Sequence, residues 1–353
     1  MTEIALPTLV GAAGFAAGMV FGGTAQATGF CTMGALSDAL FLSDWRRMRA
    51  WVMAMAVSIV GAQTLHAVGL IDLGRSIYLS GPITWAGAVL GGLVFGYGMT
   101  LTGGCGSKTL VRLGAGNLKS LVVLLMVGLF ATMTLRGLLA FGRVGLDQAT
   151  GITLAGSAFA DQSLAALLAG FGLAKPAARW LPVVVVAGGA AAWCLKDAAF
   201  RSSFPHLGAG VILGLTIPAG WAITGILGAD EFEPTPLASF SFIAPLGESL
   251  IYLMTFTGAT ISFGIAAVAG VIAGSFAAAR LGGGFHLEGF ADTADLIRHL
   301  VGGALMGSGG VLAMGCTIGQ GLTGMSTLSL TSLLAVAAIV AGGVIGLRRL
   351  EAG

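Results

Sequence analysis

The chain has 353 residues, of which 56% are hydrophobic and 9% are charged, against about 25% charged in a soluble domain. That excludes a disordered chain and an ordinary soluble enzyme, and a net charge of +2 provides no basic field for nucleic acid. A polytopic membrane protein remains.

In chain order, apolar runs near the ~20 residues that a bilayer requires predict nine spans, near 6–29, 50–70, 83–102, 120–141, 181–196, 207–228, 258–279, 299–315 and 328–347. The N-terminal MTEIALPTLVG has no positive n-region and no cleavage site, so it reads as the start of a retained span. Four segments, 31–43, 104–118, 237–256 and 316–326, are apolar or rich in Gly, Ser and Thr but too short to cross. They read as re-entrant or broken helices, which membranes tolerate only inside protein or along a cavity. Residues 161–178 read as a short interfacial helix, and no stretch reads as a soluble domain or a linker.

With the N-terminus outside, Arg46, Arg47, Arg49, Lys108, Arg112, Lys119, Lys196, Arg201, Arg280, Arg298, Arg348 and Arg349 fall inside. Arg75, Arg143, Lys175 and Arg179 fall outside, with the acidic cluster Asp230, Glu231 and Glu233, and Arg136 snorkels to the outer interface. The C-terminal RRLEAG is then cytoplasmic.

The 59 glycines are more than double the usual share of about 7%, which suits close helix packing and interrupted helices. GGLVFGYGMTLTGGC (91–105) matches GGALMGSGGVLAMGC (302–316) at six positions with a constant offset of 211 residues. The shared positions include Gly91, Gly98 and Cys105 against Gly302, Gly309 and Cys316. The first copy lies in the third span and the second in the eighth, so the two run in opposite directions. This predicts an inverted repeat, with substrate bound where the halves meet. AGMVFGGTAQATGFC (17–31) and GAGVILGLTIPAGWAITG (208–225) are weaker copies. The chain reads as one integral membrane transport domain over 1–353, with half-repeats of about 1–145 and 180–350.

Of the four cysteines, Cys31, Cys105 and Cys316 each end a glycine-spaced span and begin a broken segment, whereas Cys194 reads as packing. Their number and spacing give neither a disulfide framework nor a zinc site. Three convergent thiols suit soft partners: Cu(I), a sulfane sulfur or a selenium species. A neutral thiol contacts a polarizable anion without holding it too tightly, as conduction requires. Short helices starting near these cysteines would aim backbone N–H groups at an anion. Gln26, Thr28, Thr32, Thr102, Ser107, Thr317 and Gln320 are polar neighbours. Gly104 and Gly106 flank Cys105 and would bring backbone close to the anion. Lys108 and Arg112, one helical turn apart, either draw the anion along its path or anchor the cytoplasmic face. Glu248, the lone acid of its segment, is either a proton site or a helix cap.

GGCGSKTLVRLGAGNLKSLVV, PLGESLIYLMTFTGATISFGIA, FHLEGF and MGCTIGQGLTG, taken in order, resemble the YeeE/YedE sulfur-transport family over nearly the whole chain. The resemblance implies an all-α bacterial inner-membrane protein, an hourglass of about nine transmembrane helices plus re-entrant ones with pseudo-symmetric halves. It implies thiosulfate uptake rather than enzyme chemistry, with no cofactor and no metal. It further implies that Cys31, Cys105 and Cys316 pass thiosulfate inward by S–H···S contacts at the constriction. Such proteins often work with a small cytoplasmic TusA-like sulfur carrier, which is not fused here. The other reading of the thiols is a membrane protein that handles sulfane sulfur, selenium or a soft metal by redox chemistry.

Overall fold

A computed structural model describes residues 6–154, 159–230 and 235–352, and Glu231 and Glu233 of the acidic cluster lie outside them. Among the described residues the chain is all-α. The first half runs α1 (Leu6–Thr28), α2 (Thr32–Phe41), α3 (Arg46–Ala67), α4 (Trp85–Leu101), α5 (Gly106–Gly114) and α6 (Leu118–Arg136). A connecting region follows: α7 (Ala140–Thr150), α8 (Leu164–Gly170) and the span α9 (Lys175–Lys196). The second half runs α10 (Phe204–Leu227), α11 (Ile243–Met254), α12 (Phe263–Leu281), α13 (Thr293–Leu312), a π-helical turn at Gly319–Gly324, and α14 (Leu330–Ala352).

Among the described residues, eight helical stretches are long and apolar enough to cross a membrane, two of them carrying α2 and α5 as continuations of α1 and α4. The predicted span that falls outside these eight, 299–315, is α13, 20 residues long and more polar because its first two turns carry Asp295, Arg298 and His299. It starts six residues before the predicted 299, where Asp292 caps it by accepting from Asp295 N at 2.7 Å. All four segments too short to cross contain short helical pieces: α2, α5, α11 and the π turn. The helix α7 was not visible in the apolar pattern, because AFGRVGLDQAT has no long apolar run and buries none of its residues. The interfacial segment divides into α8 and the first turn of α9.

Glycine sets the packing. α1 lies on α12 so closely that a methyl on Gly22 would overlap the Val271 carbonyl, and one on Gly274 the Met19 carbonyl. α3 packs on α10, α4 on α14, and α6 on α13. α4 and α13 cross antiparallel: a Gly98 side chain would meet Gly302 O at 2.9 Å, and a Gly91 side chain Gly309 O at 2.6 Å. An aromatic group, with Phe21 centred 5.6 Å from Phe240 and 5.4 Å from Phe242, fills the space between α1 and the extended segment before α11. Ion pairs hold the basic face: Lys119 with Asp295 at 3.0 Å, Arg49 with Asp197, and Arg46 with Asp44. Arg46 reaches Asp44 through Nη2 (2.6 Å) and Nε (3.0 Å), which holds that carboxyl down at about 2.

Candidate functional site

Three chain breaks share one local design. Two residues before each cysteine the backbone turns left-handed, at Gly29 (φ 65°), Gly103 (φ 66°) and Met314 (φ 56°). The turn stops the incoming helix and lets the cysteine open the next one. Cys31 caps α2, with its Sγ 3.4 Å from Gly34 N, and Cys105 holds the cap position of α5 without a side-chain bond to its first turn. Cys316 Sγ likewise accepts from Gly319 N at 3.4 Å, ahead of the π turn. The third left-handed position is a methionine, where the conformation costs an L-residue on the order of 1 kcal/mol.

These breaks bring the sulfurs together. Cys105 is within interaction range of Cys31, of Thr317 and of Cys316. Cys105 Sγ lies 3.3 Å from Ser107 Oγ. All three thiols are free and buried, Cys105 and Cys316 completely. The hydroxyls of Thr32 and Thr317 adjoin the cluster, each buried without a conventional hydrogen-bond partner. Such orphans are rare inside proteins and mark a place for a polar guest.

Two clefts approach the cluster. One, of about 460 Å³, is lined by Thr102, Gly103, Lys108 and Arg112, and reaches within two residues of Cys105. The other, of about 380 Å³, is lined by Tyr78, Arg143, Ser241 and Glu248, and reaches Gly315 beside Cys316.

Lys108 folds back over the cysteine turn: a Gly104 side chain would meet its Cγ at 3.2 Å and Arg112 Nη1 at 3.6 Å. Gly106 faces Ile243, whose Cδ1 lies 3.4 Å from where a side chain would begin. Gln320 braces the turn before Cys316 by donating Nε2–H to Ala313 O at 2.5 Å, while its buried Oε1 is unpaired. Gln26 lines the first cleft, whereas Thr28 donates to Thr24 O within its own helix. Glu248 accepts from Ser262 Oγ at 3.2 Å, and Ser262 caps α12, so the carboxylate supports a cap from a neighbouring helix. Cys194 stands apart on α9 and donates to Arg49 O at 3.3 Å. Arg136 ends α6 with its side chain exposed. Arg143 was not legible as a cleft residue, because α7 itself was not.

The profile of the Sulphur transport family matches residues 27–345, a stretch that spans all three thiol breaks. The chain belongs to the sulphur transport family. Two curated proteins of similar length resemble it. One, from Spirochaeta thermophila, is 27% identical over 329 residues, covering 91% of this chain and 93% of the relative. The other, from Escherichia coli, is 28% identical over 331 residues, covering 88% of this chain and 86% of the relative. Each is named thiosulfate transporter TsuA. Within this sulphur transport protein, the matched region holds the second cleft, all of the first but Gln26, and every cysteine described above.

Proposed function

We propose that the protein takes up thiosulfate across the bacterial inner membrane, relaying it through Cys31, Cys105 and Cys316. The observation that carries this reading is the meeting of three free thiols, from three separate helix breaks, in one buried cluster with a cleft on either side. The names of the two relatives support the choice of substrate. The soft terminal sulfur of thiosulfate pairs with polarizable thiols. Its oxygens accept from the orphaned hydroxyls of Thr32 and Thr317 and from N–H groups at the starts of α2 and α5. Each contact is weak, so the anion moves on. Lys108 and Arg112 draw it into the cleft on their side, Gly104 and Gly106 let backbone approach it, and Gln320 keeps the Cys316 turn in place.

The proposal includes an hourglass path and two half-repeats, about 1–145 and 180–350, related by a two-fold axis in the membrane plane. The antiparallel crossing of α4 and α13 supports it: an offset of 211 residues exchanges the pair Gly98–Gly302 with the pair Gly309–Gly91. The packings α1 on α12 and α10 on α3 exchange in the same way. The proposal also puts the N-terminus in the periplasm and the C-terminus in the cytoplasm, a reading supported by the distribution of basic residues, with a TusA-like carrier receiving the sulfur there.

The test is ³⁵S-thiosulfate flux into proteoliposomes made without reductant. Accumulation of intact label, competed by unlabelled thiosulfate, is expected. No flux above empty vesicles would overturn the reading.

A further inference from the structure

We propose that Arg47 is an anion-binding residue at the inner side of the thiol cluster, taking the oxygen end of the transported anion together with Arg112. The inference rests on the transport reading above and adds a residue to it.

Arg47 stands in the first turn of α3, where its charge alone would make it a membrane-face anchor. Its side chain instead crosses the turn that holds Cys31. A side chain on Gly29 would meet Nη2 at 3.0 Å. One on Gly34 would meet Nη1 at 3.0 Å and Cys31 Cβ at 3.6 Å. The guanidinium therefore fills space that two glycines leave open, and a methyl at Gly34 would wedge between it and the cysteine.

Arg112 repeats the arrangement at the second break. Its Nη1 lies 3.5 Å and 3.6 Å from the places where side chains on Gly103 and Gly104 would begin, just before Cys105. Lys108 is within electrostatic range of both arginines and of Cys31 and Cys105. Three cations thus gather on one side of the thiols. Among the described ion pairs, Asp38 alone answers them, 3.1 Å from Arg47 Nη1, and neither Lys108 nor Arg112 has a carboxylate partner.

Partly desolvated cations without matching anions are costly, and a bound anion relieves the cost. A planar guanidinium fork suits an oxyanion better than it suits a lone sulfur. An anion with a soft sulfur at one end and oxygens at the other would then be held sulfur-first on the thiols, with its oxygens turned to Arg47 and Arg112. Asp38 regains Arg47 as the anion leaves, which keeps binding reversible.

The experiment measures ³⁵S-thiosulfate flux in right-side-out and inside-out membrane vesicles, normalised to folded protein, for Arg47→Gln, Arg47→Lys, Asp38→Asn and the double variant Asp38→Asn/Arg47→Gln. Losing a charge-assisted contact should raise the half-saturating concentration at the basic face about ten-fold or more. Arg47→Lys should recover part of that loss. Asp38→Asn should leave the concentration unchanged or lower it, and the double variant should behave like Arg47→Gln. A wild-type concentration in Arg47→Gln would overturn the proposal. So would Asp38→Asn reproducing the Arg47→Gln defect, since the arginine would then only brace α2. Wild-type vesicles that carry no thiosulfate would sink the transport reading itself, and this inference with it.

Discussion

Cysteine is not among the residues that cap helices well; serine, threonine, asparagine and aspartate are. Yet Cys31 and Cys105 hold cap positions, and Cys316 accepts an N–H three residues on in the same way. Stability alone would favour serine at all three. Sulfur in these places argues for a task that oxygen performs poorly, namely contact with a polarizable partner. Each Cys→Ser variant is therefore expected to fold in normal amounts while thiosulfate uptake falls about ten-fold or more, a change equivalent to about 1.4 kcal/mol. Cys105 should be the most sensitive, because Gly104 and Gly106 flank it and its fully buried Sγ lies 3.3 Å from Ser107 Oγ. Cys194→Ala gives up one hydrogen bond to Arg49 O and should keep uptake near wild type. Uptake per folded molecule decides both points, and full activity in all three serine variants would leave the thiols as packing.

At the scale of elements, the glycines divide by what surrounds them. Gly22 and Gly274 leave no room for a methyl between α1 and α12, whereas nothing lies within 4 Å of a side chain at Gly189 on α9. Gly22→Ala and Gly274→Ala should each destabilise by about 1–3 kcal/mol through overpacking. Gly189→Ala should be neutral or mildly stabilising, since alanine is the better helix former. Thermal unfolding in detergent checks this, and equal midpoints for Gly22→Ala and Gly189→Ala would mean that the α1–α12 contact is softer than its geometry. The same close approach is what lets interrupted helices exist here. Irregular backbone at Gly103 and Met314 lines the two clefts and at Gly29 is half-buried, settings in which a membrane protein tolerates it.

For the whole molecule, the proposed direction of travel rests on the distribution of basic residues and on the two clefts. A cysteine introduced at Glu351, after α14, is expected to react with a membrane-impermeant maleimide only once the inner membrane is opened. Labelling in intact spheroplasts would invert the orientation, and with it the order in which the anion meets the clefts. Arg47, Lys108 and Arg112 would then stand at the entry and not at the exit.

The spans, the four short segments and the position of three cysteines at helix breaks were all legible in the sequence. Each rests on a one-dimensional signal: apolar run length, glycine frequency, or a cysteine at the end of a repeated spacing. The antiparallel sense of α4 and α13 followed from counting crossings. The polar start of α13 was missed because hydropathy does not see a cap such as Asp292, and α7 because an element that buries nothing leaves no apolar period. Only the tertiary structure decided which thiols neighbour one another, since Cys105 lies 74 residues from Cys31 and 211 from Cys316 and comes within interaction range of both through helix packing. It also decided that Glu248 supports a cap, that Gln320 braces a turn, and that Arg47 lies across the Cys31 turn. The physical reason is common to all three. Composition and period fix which segments enter the membrane, but the direction of a long polar side chain depends on the space its neighbours leave, and at Arg47 that space is left by Gly29 and Gly34 on another part of the chain.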